Sequence, residues 1–253
     1  MPEPAQNFTI LRYDGETDSL ETVTRPIVVE HATELIVNGE KWITFICSPD
    51  HLEALAIGFL WNEAVLTDIN QIDNMDLSLD GKQISIRLNS VVEKPKNFHR
   101  TSTGIAIDQP RHAIINEQKF TVNAGEILSL YREFNQLQAL HNAVGGFHSG
   151  ALSDGGTINL FIEDVGRHNC IDKLAGLYLQ SSRSFSPRLL LISGRISSEM
   201  VAKSFNLGVS VLVSRTSPTS LAIQTAQQAG ITLVGYLRGR SYNIYTHPER
   251  VTI

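Results

Sequence analysis

Four short apolar runs in the second half of the chain each end in a polar cluster that contains arginine. The runs span residues 157–162, 189–192, 209–213 and 231–234. The first three clusters also begin a helical pattern, so strands and helices alternate along this part of the chain. Such alternation predicts βαβ units with right-handed crossovers, and therefore an α/β fold. In these folds ligands bind at the carboxyl ends of the parallel strands, where the clusters would lie.

The arginines of these clusters predict an anion-binding crevice at that edge. They are Arg167, Arg195, Arg215, Arg238 and Arg240. An arginine beside the free N–H groups of a helix start is a suitable partner for phosphate. Each arginine taken alone is also explained as ordinary surface charge; Arg167, for example, would pair with Asp164 if that residue caps the helix. Because four clusters fall on one edge, we favour ligand binding.

Hydroxyl residues in two of the clusters are predicted to begin helices. Ser197 is an expected N-cap, and Ser217 is another, with Pro218 at the first turn of its helix. Further hydroxyls in the third cluster are candidates to contact phosphate or ribose: Ser214, Thr216 and Thr219.

The first half of the chain is predicted to be rich in strands. Residues 8–46 read as strands with a hairpin turn at Asn38-Gly39, and residues 76–88 read as a second hairpin. Between them, Ser48 is predicted to cap a helix that has Pro49 at its first position. The first part of the chain is thus predicted to form a β-rich N-terminal subdomain.

The predicted domain boundaries follow from this change of pattern. Residues 1–92 form the N-terminal subdomain with one helix, residues 93–118 form a mobile loop or linker, and residues 119–253 form an α/β ligand-binding domain. That last domain is predicted to begin with one helix over residues 125–142 and to end with an antiparallel edge strand over residues 242–246.

Charge and hydropathy narrow the classes of function. The formal net charge is -5, so we expect no diffuse nucleic-acid-binding surface. The apolar run at residues 52–61 is too short to span a membrane, and residues 1–14 lack the features of a signal peptide. We therefore expect a cytoplasmic protein with no membrane association.

The cysteines and histidines predict no metal site and no disulfide. The chain has two cysteines, Cys47 and Cys170, far apart and without metal-ligand spacing. A zinc deaminase would need a glutamate two residues after its histidine and a C-x-x-C pair, but His148 is followed at that distance by Gly150. The sequence therefore disfavours a deaminase-like hydrolase, and we expect no zinc.

The clusters together resemble one protein family. The matching stretches read GGFH at residues 145–148, EDVGRHN at 163–169 with Asp172-Lys173, SGR at 193–195, EMV at 199–201, SPT at 217–219, GITL at 230–233 and RGR at 238–240. In the first half, CSP at residues 47–49 and the helix after it also match. In type and order these stretches are similar to the formate dehydrogenase accessory proteins of the FdhD/NarQ type, over nearly the whole chain.

The resemblance implies a fold, a function and a set of partners. The fold is that of the cytidine deaminases, a three-layer α/β sandwich. Members are cytoplasmic, typically dimeric sulfur carriers that receive sulfur from a cysteine desulfurase. They pass it to the molybdenum cofactor, in its bis-molybdopterin guanine dinucleotide form, before that cofactor enters formate dehydrogenase. The family's cofactor-binding turn matches residues 236–241 here. Together with the polar clusters, this gives the expected cofactor-binding residues: His148, Arg167, His168, Asn169, Ser193, Gly194, Arg195, Ser217, Thr219, Tyr236, Leu237, Arg238, Gly239, Arg240 and Ser241.

One departure from the family puts sulfur transfer in doubt. The family carries a Cys-x-x-Cys pair in a loop, and Ile105 and Asp108 stand at those positions here. Neither residue can form a persulfide, because sulfur relay needs a thiolate. Cys47 is expected to be a small buried apolar residue. Cys170 follows Arg167 and His168, an environment that lowers a thiol pKa, but an apolar residue is usual at this position in the family, so we favour core packing over a catalytic role for it. A non-catalytic cofactor-binding scaffold therefore stands beside the sulfur carrier as a hypothesis.

Overall fold

Strands dominate the first half of the chain, and strands alternate with helices in the second. The computed structural model describes residues 3–90, 92–94, 98–101, 104–107, 120–181 and 184–253. The first half contains β1 (Ala5–Asp14), β2 (Ser19–Val28), β3 (His31–Val37), β4 (Glu40–Cys47), α1 (Leu52–Asn62), β5 (Ile72–Leu77), β6 (Gln83–Leu88), β7 (Phe98–Thr101) and β8 (Gly104–Ile107). The second half contains β9 (Val122–Asn123), α2 (Ala124–Leu137), α3 (Ala139–Val144), β10 (His148–Ser153), β11 (Ile158–Asp164), α4 (Arg167–Gln180), β12 (Leu189–Ile192), α5 (Ser198–Asn206), β13 (Val211–Ser214), α6 (Ser220–Ala229), β14 (Thr232–Arg238), β15 (Ser241–Thr246) and β16 (Val251–Thr252).

The N-terminal strands form a ribbon and a separate sheet. β1 and β2 pair only with each other, whereas the sheet has the strand order β4-β3-β6-β5. Both hairpins expected from the sequence are confirmed: β3 pairs antiparallel with β4, and β5 pairs antiparallel with β6. The buried side chains of this sheet pack against α1, as in the contact between Phe45 and Phe59, whose ring centroids are 5.2 Å apart.

The second half is built on a six-stranded sheet of order β11-β10-β12-β13-β14-β15. β12, β13 and β14 are parallel neighbours, joined through α5 and α6, and β15 is an antiparallel edge strand. The α/β class and the antiparallel last strand predicted from the sequence are thus confirmed. The likeness to the cytidine deaminases and the domain boundaries stay predictions.

One strand interrupts the expected order. β10 lies between β11 and β12 and runs antiparallel to both. Its first residue, His148, is paired with Asp164 at the end of β11. Two residues later, Gly150 is paired with Ile192 at the end of β12. An antiparallel strand begins where its neighbours end, so His148 lies at the edge of the sheet that carries the arginine clusters.

Helices cover both faces of this sheet. Leu190, Ile192 and Leu212 point to one face and pack with apolar residues of α4, α5 and α6. Leu191 and Val213 point to the other face and pack with α2. The period-two alternation of strand side chains divides the apolar residues in this way.

Helices α1 and α4 touch backbone to backbone and so join the two halves of the chain. A Cβ atom on Gly58 would stand 1.7 Å from the carbonyl oxygen of Asp172, and one on Gly176 would stand 2.0 Å from that of Ala54. Real Cβ atoms do not approach so closely. The two glycines are therefore required by this helix contact.

Two helix starts differ from the prediction. α1 begins at Leu52 rather than at Pro49, and Ser48 does not cap it. Instead the N–H of Ser48 donates to the buried carboxylate of Asp164, and its hydroxyl accepts from the N–H of Val165. α6 likewise begins after Ser217, with Thr219 as its cap, because Ile196 pairs with Pro218 and holds Ser217 outside the helix. The predicted position of Ser197 at the N-cap of α5 is confirmed.

The single helix predicted over residues 125–142 is two helices. α2 ends at Leu137, Gln138 leaves helical geometry, and α3 begins at Ala139. The cause lies on the neighbouring strand. The buried carboxylate of Glu163 accepts the N–H groups of Leu140 and His141 at 2.9 and 2.8 Å, and an N–H within a continuous helix would be bonded inside it.

Candidate functional site

A pocket of about 580 Å³ opens at the predicted edge of the sheet. Two of the cluster arginines line it: Arg215, which follows β13, and Arg238, which ends β14. The other lining residues are Tyr131, Asn135, Gln138, His141, Asn142, Thr216 and Leu237. Two guanidinium groups among amide and hydroxyl side chains form a site for a polar anion, since arginine binds phosphate with paired hydrogen bonds.

Tyr131 fixes the turn that carries Arg215. Its side chain is 1% exposed, and burial raises its pKa to about 12, so the hydroxyl keeps its proton. The hydroxyl donates to the carbonyl of Ile192 at 3.3 Å and accepts from the N–H of Arg215 at 3.1 Å. One side chain of α2 therefore ties together the ends of β12 and β13.

Arg238 is placed by an irregularity in β14. The register between β14 and β15 shifts between Gly235 and Arg238, and Tyr236 has a left-handed φ of 53°. The guanidinium carbon of Arg238 lies 5.4 Å from the centre of the Tyr236 ring, a cation–π contact that orients it. Leu237 points inward and lines the pocket.

A second group of predicted residues lies beside the pocket, around Gly194. A Cβ atom there would lie 3.2 Å from Cδ of Arg167 and 3.3 Å from Nδ1 of His148, so Gly194 leaves room for both side chains. The charges of Arg215 and His141, which line the pocket, act on His148 as well. The two groups therefore adjoin each other.

The electrostatics of this second group favour an anion. Arg167 is 8% exposed, and its Nε atom has no hydrogen-bond partner among the described residues. Burial lowers the pKa of Arg167, and the nearby charge of Arg195 lowers it further. Burial and the charge of Arg167 likewise lower the pKa of His148, which is neutral at pH 7. A negatively charged group would relieve this concentration of positive charge.

His168 is held neutral beside the group. Burial, with the positive charges of Lys203 and Arg167, lowers its pKa to about 3. Its Nδ1 atom lies 3.6 Å from a carboxylate oxygen of Glu199, too far for a strong hydrogen bond. The ring is 8% exposed and, because of its low pKa, it contributes a neutral polar surface to this group rather than a positive charge.

Several predicted binding residues instead bond to the protein itself. Asn169 donates to Asp164 and to the carbonyl of Ile46. The hydroxyl of Ser193 accepts from the N–H of Ser149 at 2.9 Å, and that of Thr219 caps α6. Further hydroxyls bond to the carbonyl of Gly194: Ser214 at 2.7 Å and Thr216 at 2.8 Å.

The β14–β15 turn does not join the pocket as a whole. Gly239, Arg240 and Ser241 are exposed and lie outside the pocket lining, in the part of the chain that the structure describes. The predicted crevice of five arginines is thus two adjoining groups, with Arg215 and Arg238 in one and Arg167 and Arg195 in the other. Ser217 contributes its carbonyl to the N–H of Ile196 rather than a helix cap.

Five pocket residues were missed by the sequence reasoning: Tyr131, Asn135, Gln138, His141 and Asn142. All belong to α2, α3 or the break between them. No local pattern marks them, because their position depends on the bond from Glu163 to α3 and on packing of α2 against the sheet.

Neither cysteine has the environment of a reactive thiol. Cys170 is 1% exposed, and its thiol lies 3.4 Å from the carbonyl of His148. Burial, and then the charge of Asp164, raises its pKa well above the usual value. The favoured interpretation, core packing, is therefore confirmed, and the alternative of a thiol activated by Arg167 and His168 is wrong. Cys47 is fully buried, as expected, and burial raises its pKa to about 12. Ile105 lies in β8, and Asp108 lies outside the described residues.

No helix in the described part of the chain is long and apolar enough to cross a membrane.

The fold is similar to that of a solved structure. A crystal structure from Desulfotalea psychrophila, described as a formate dehydrogenase accessory protein, superposes with a TM-score of 0.79. The likeness covers 98% of this chain and 99% of that one at 24% identity, so it concerns the fold.

Sequence comparison adds the family. Proteins named sulfur carrier protein FdhD match along nearly their whole length. The one from Bacillus pumilus (strain SAFR-032) is 35% identical over 90% of this chain and 91% of its own. The one from Bacillus subtilis (strain 168) is 33% identical over 96% of this chain and 95% of its own. The model of the FdhD/NarQ family matches residues 28–252. The chain therefore belongs to the FdhD/NarQ family.

Proposed function

We propose that this protein is an accessory protein for formate dehydrogenase that holds the molybdenum cofactor in its bis-molybdopterin guanine dinucleotide form. The observation that carries the proposal is the pocket that contains Arg215 and Arg238 at the carboxyl ends of the strands, in a chain of this family. Formate dehydrogenase is the client, the protein acts in the cytoplasm, and it works as a homodimer.

The residues present suit such a ligand. Guanine nucleotides combine a planar base that offers donors and acceptors with a pyrophosphate. The amides of Asn135, Gln138 and Asn142 suit the base, and Arg215 and Arg238 suit the pyrophosphate. A pocket of about 580 Å³ is within the ordinary range for one small ligand. Each chain would thus hold one nucleotide, and a homodimer would match the two nucleotides of the bis form.

The second group would hold another anionic part of the same ligand. Arg167 is already buried and lies next to Gly194, so it need not be ordered on binding. His148 and His168 are neutral, so they accept or donate hydrogen bonds without adding charge. The cofactor, when bound, supplies the molybdenum chemistry. The residues of this chain bind its phosphates and keep it in place.

Sulfur transfer is the part of the family function that these residues do not support. Ile105 and Asp108 stand where the family resemblance places the loop cysteines, and Cys47 and Cys170 are buried with raised pKa values. A persulfide carrier needs an accessible thiolate. A cofactor-binding scaffold that relays no sulfur is therefore the second candidate function, beside a sulfur carrier that also binds the cofactor. A cysteine desulfurase is a partner only if the protein carries sulfur.

Titration calorimetry with GDP tests the cofactor site. Arg238→Ala should weaken binding about 10- to 100-fold, the loss expected for charge-assisted hydrogen bonds. Arg240→Ala is the matched control: an exposed arginine two residues away and outside the pocket, whose loss should change the affinity less than about 3-fold. Absence of GDP binding by the wild type, or equal losses in both variants, would refute the site.

Incubation with a cysteine desulfurase and ³⁵S-cysteine separates the two candidate functions. The scaffold hypothesis expects no label on the protein. Reductant-sensitive label that disappears in Cys170→Ala, with GDP binding retained, would establish this chain as a sulfur carrier.

A further inference from the structure

Glu163, near the end of β11, is a buried carboxylate that bonds to the helix on one side of the pocket. It is 6% exposed, and each of its oxygens accepts one backbone N–H group, from Leu140 at 2.9 Å and from His141 at 2.8 Å. Both donors lie in the first turn of α3, where the N-cap residue, Gln138, makes no side-chain bond. Glu163 therefore takes the place of a cap for α3.

Glu163 and the next residue, Asp164, act on opposite sides of the sheet, as successive side chains of a strand do. The carboxylate of Asp164 bonds to Lys173 and to the turn before α4, whereas that of Glu163 bonds to α3. Two neighbouring carboxylates thus fix the turn that leads into Arg167 and the helix that lines the pocket.

The far end of α3 is fixed by another bond. The helix is followed by two glycines with left-handed φ, Gly145 at 74° and Gly146 at 75°, and the chain then enters β10. Across this turn, Nδ1 of His141 lies 2.8 Å from the carbonyl oxygen of Phe147. A carbonyl oxygen only accepts, so Nδ1 carries the hydrogen and donates it. The ring of His141 is therefore held in one orientation, as its backbone is.

The pocket thus has two walls that different parts of the fold hold in place. The α3 wall consists of the lining residues at or after the helix break: Gln138, His141 and Asn142. The arginine wall consists of Arg215, which follows β13, and Arg238, which ends β14. Glu163 bonds to the segment that carries the α3 wall, whereas the arginine wall belongs to the strand ends of the sheet.

We propose that Glu163 is a positioning residue for the nucleoside end of the ligand. By bonding to α3 it places the α3 wall against the base and ribose, while the arginine wall binds the pyrophosphate without its help. The inference rests on the proposed function and deepens it, because it assigns recognition of the nucleoside to a helix that one carboxylate behind the pocket holds in place.

Glu163→Gln tests the inference with two ligands, GDP and inorganic pyrophosphate. Glutamine keeps the size of the side chain, but it accepts only one of the two N–H groups of α3 and turns an NH₂ group toward the other. By titration calorimetry, we expect this variant to bind GDP about 10-fold or more weakly than the wild type does. Its affinity for pyrophosphate should stay within about 2-fold of the wild-type value, because the arginine wall is unchanged.

Glu126→Gln is the matched control. Glu126 also accepts a backbone N–H at a helix start, that of Asn123 at 3.0 Å, but it is exposed and lies at the first turn of α2, outside the pocket lining. This variant should change neither affinity by more than about 2-fold.

The outcomes distinguish the inference from the proposed function. Absence of GDP binding by the wild type overturns both. If the wild type binds GDP, equal losses of GDP and pyrophosphate affinity in Glu163→Gln, or no loss of either, overturn the inference alone, since a general disturbance of the fold would not spare pyrophosphate. A wild type that binds GDP but not pyrophosphate overturns the division into two walls.

Hydrogen exchange of the wild type gives a readout that needs no variant. Measured by mass spectrometry of peptic fragments, GDP should slow the exchange of the backbone amides of residues 138–144, and pyrophosphate should leave their exchange unchanged. Equal protection by both ligands, or none by GDP, would contradict contact between the α3 wall and the nucleoside.

Discussion

At the scale of single residues, Lys173 supports the turn that leads into the candidate site. It is fully buried, 2.7 Å from the equally buried Asp164 and 2.5 Å from Asp50, and it donates to the carbonyl of Ser48 at 3.1 Å. Burial lowers the pKa of its ammonium group, but Asp164 and Asp50 together outweigh burial and the net pKa is raised. The lysine therefore stays charged and joins residues 48–50 to the turn that leads into Arg167.

Removing that charge should be costly. We expect Lys173→Met to lower the free energy of unfolding by about 3–5 kcal/mol, because it leaves Asp164 as a buried charge without its cation. Lys82→Met is the control: Lys82 pairs with Asp80 at the surface, where both side chains are more than half exposed, and we expect a loss below about 1 kcal/mol. Urea unfolding followed by circular dichroism measures both. A loss in Lys173→Met no larger than in the control would show that Asp164 is not held by this pair.

Single residues also show which parts of the site could be predicted from the sequence and which could not. Arg167, Arg195 and Arg215 were identified because the strand-to-helix turns that carry them have a local pattern, whereas His148 was identified through the family resemblance of residues 145–148. In the alternative to ligand binding, Asp164 would have paired with Arg167, its near neighbour, but it pairs with Lys173 and binds Ser48, 116 residues away in sequence. A buried carboxylate takes the donors that the tertiary fold brings to it, and no local spacing records them.

At the scale of elements, the contact between α1 and α4 connects the two halves of the molecule. Gly58 and Gly176 let the helix backbones touch, so the separation of the helices is set by main-chain atoms rather than by side chains that could rotate away. Glycine is a poor helix former, which indicates that close packing decides the residue at these positions.

Gly58→Ala should therefore destabilise the protein. Alanine would favour an isolated helix by about 1 kcal/mol, but here its Cβ would meet the carbonyl oxygen of Asp172 at 1.7 Å, and the helices must separate. We expect a net loss of about 3 kcal/mol or more, at the upper end of the range for overpacked cores. Gly156→Ala, whose Cβ would lie at an ordinary contact distance of 3.7 Å from Asp154 Oδ1, should change stability by less than about 0.5 kcal/mol. Thermal unfolding compares the two variants, and an equal midpoint for both would contradict the role given to this contact.

The element scale separates patterns that are local from patterns that are not. The alternation of strands and helices predicted β12 to β15 correctly, because each element there is marked by its own apolar period. The position of β10 between β11 and β12 could not be predicted, because the apolar pattern of a strand does not indicate which other strands lie beside it in the sheet. The start of α1 was misplaced because Ser48, which with Pro49 is a usual beginning for a helix, is bonded instead to Asp164 and Lys173.

At the scale of the whole molecule, the two halves of the chain share too many interactions to behave independently. Besides the helix contact and Lys173, Asn62 donates to Asp172 at 2.7 Å, and Trp61 donates to the carbonyl of Asn206 at 3.2 Å. Leu179 of α4 packs into the apolar cluster of the N-terminal sheet. Opening one half would expose these groups in the other, so we infer a single cooperative unit.

The two buried cysteines allow that inference to be measured. Cys47 ends β4 in the N-terminal sheet and Cys170 lies in α4, and both are at most 1% exposed. In Cys170→Ala only Cys47 remains, and in Cys47→Ala only Cys170 remains. Each thiol should react with a disulfide reagent only after opening, and the opening free energy from the labelling rate should equal that variant's free energy of global unfolding. If the opening free energy at Cys47 is clearly lower than that at Cys170, the N-terminal sheet opens by itself. The contact between α1 and α4 would then not make the two halves one cooperative unit.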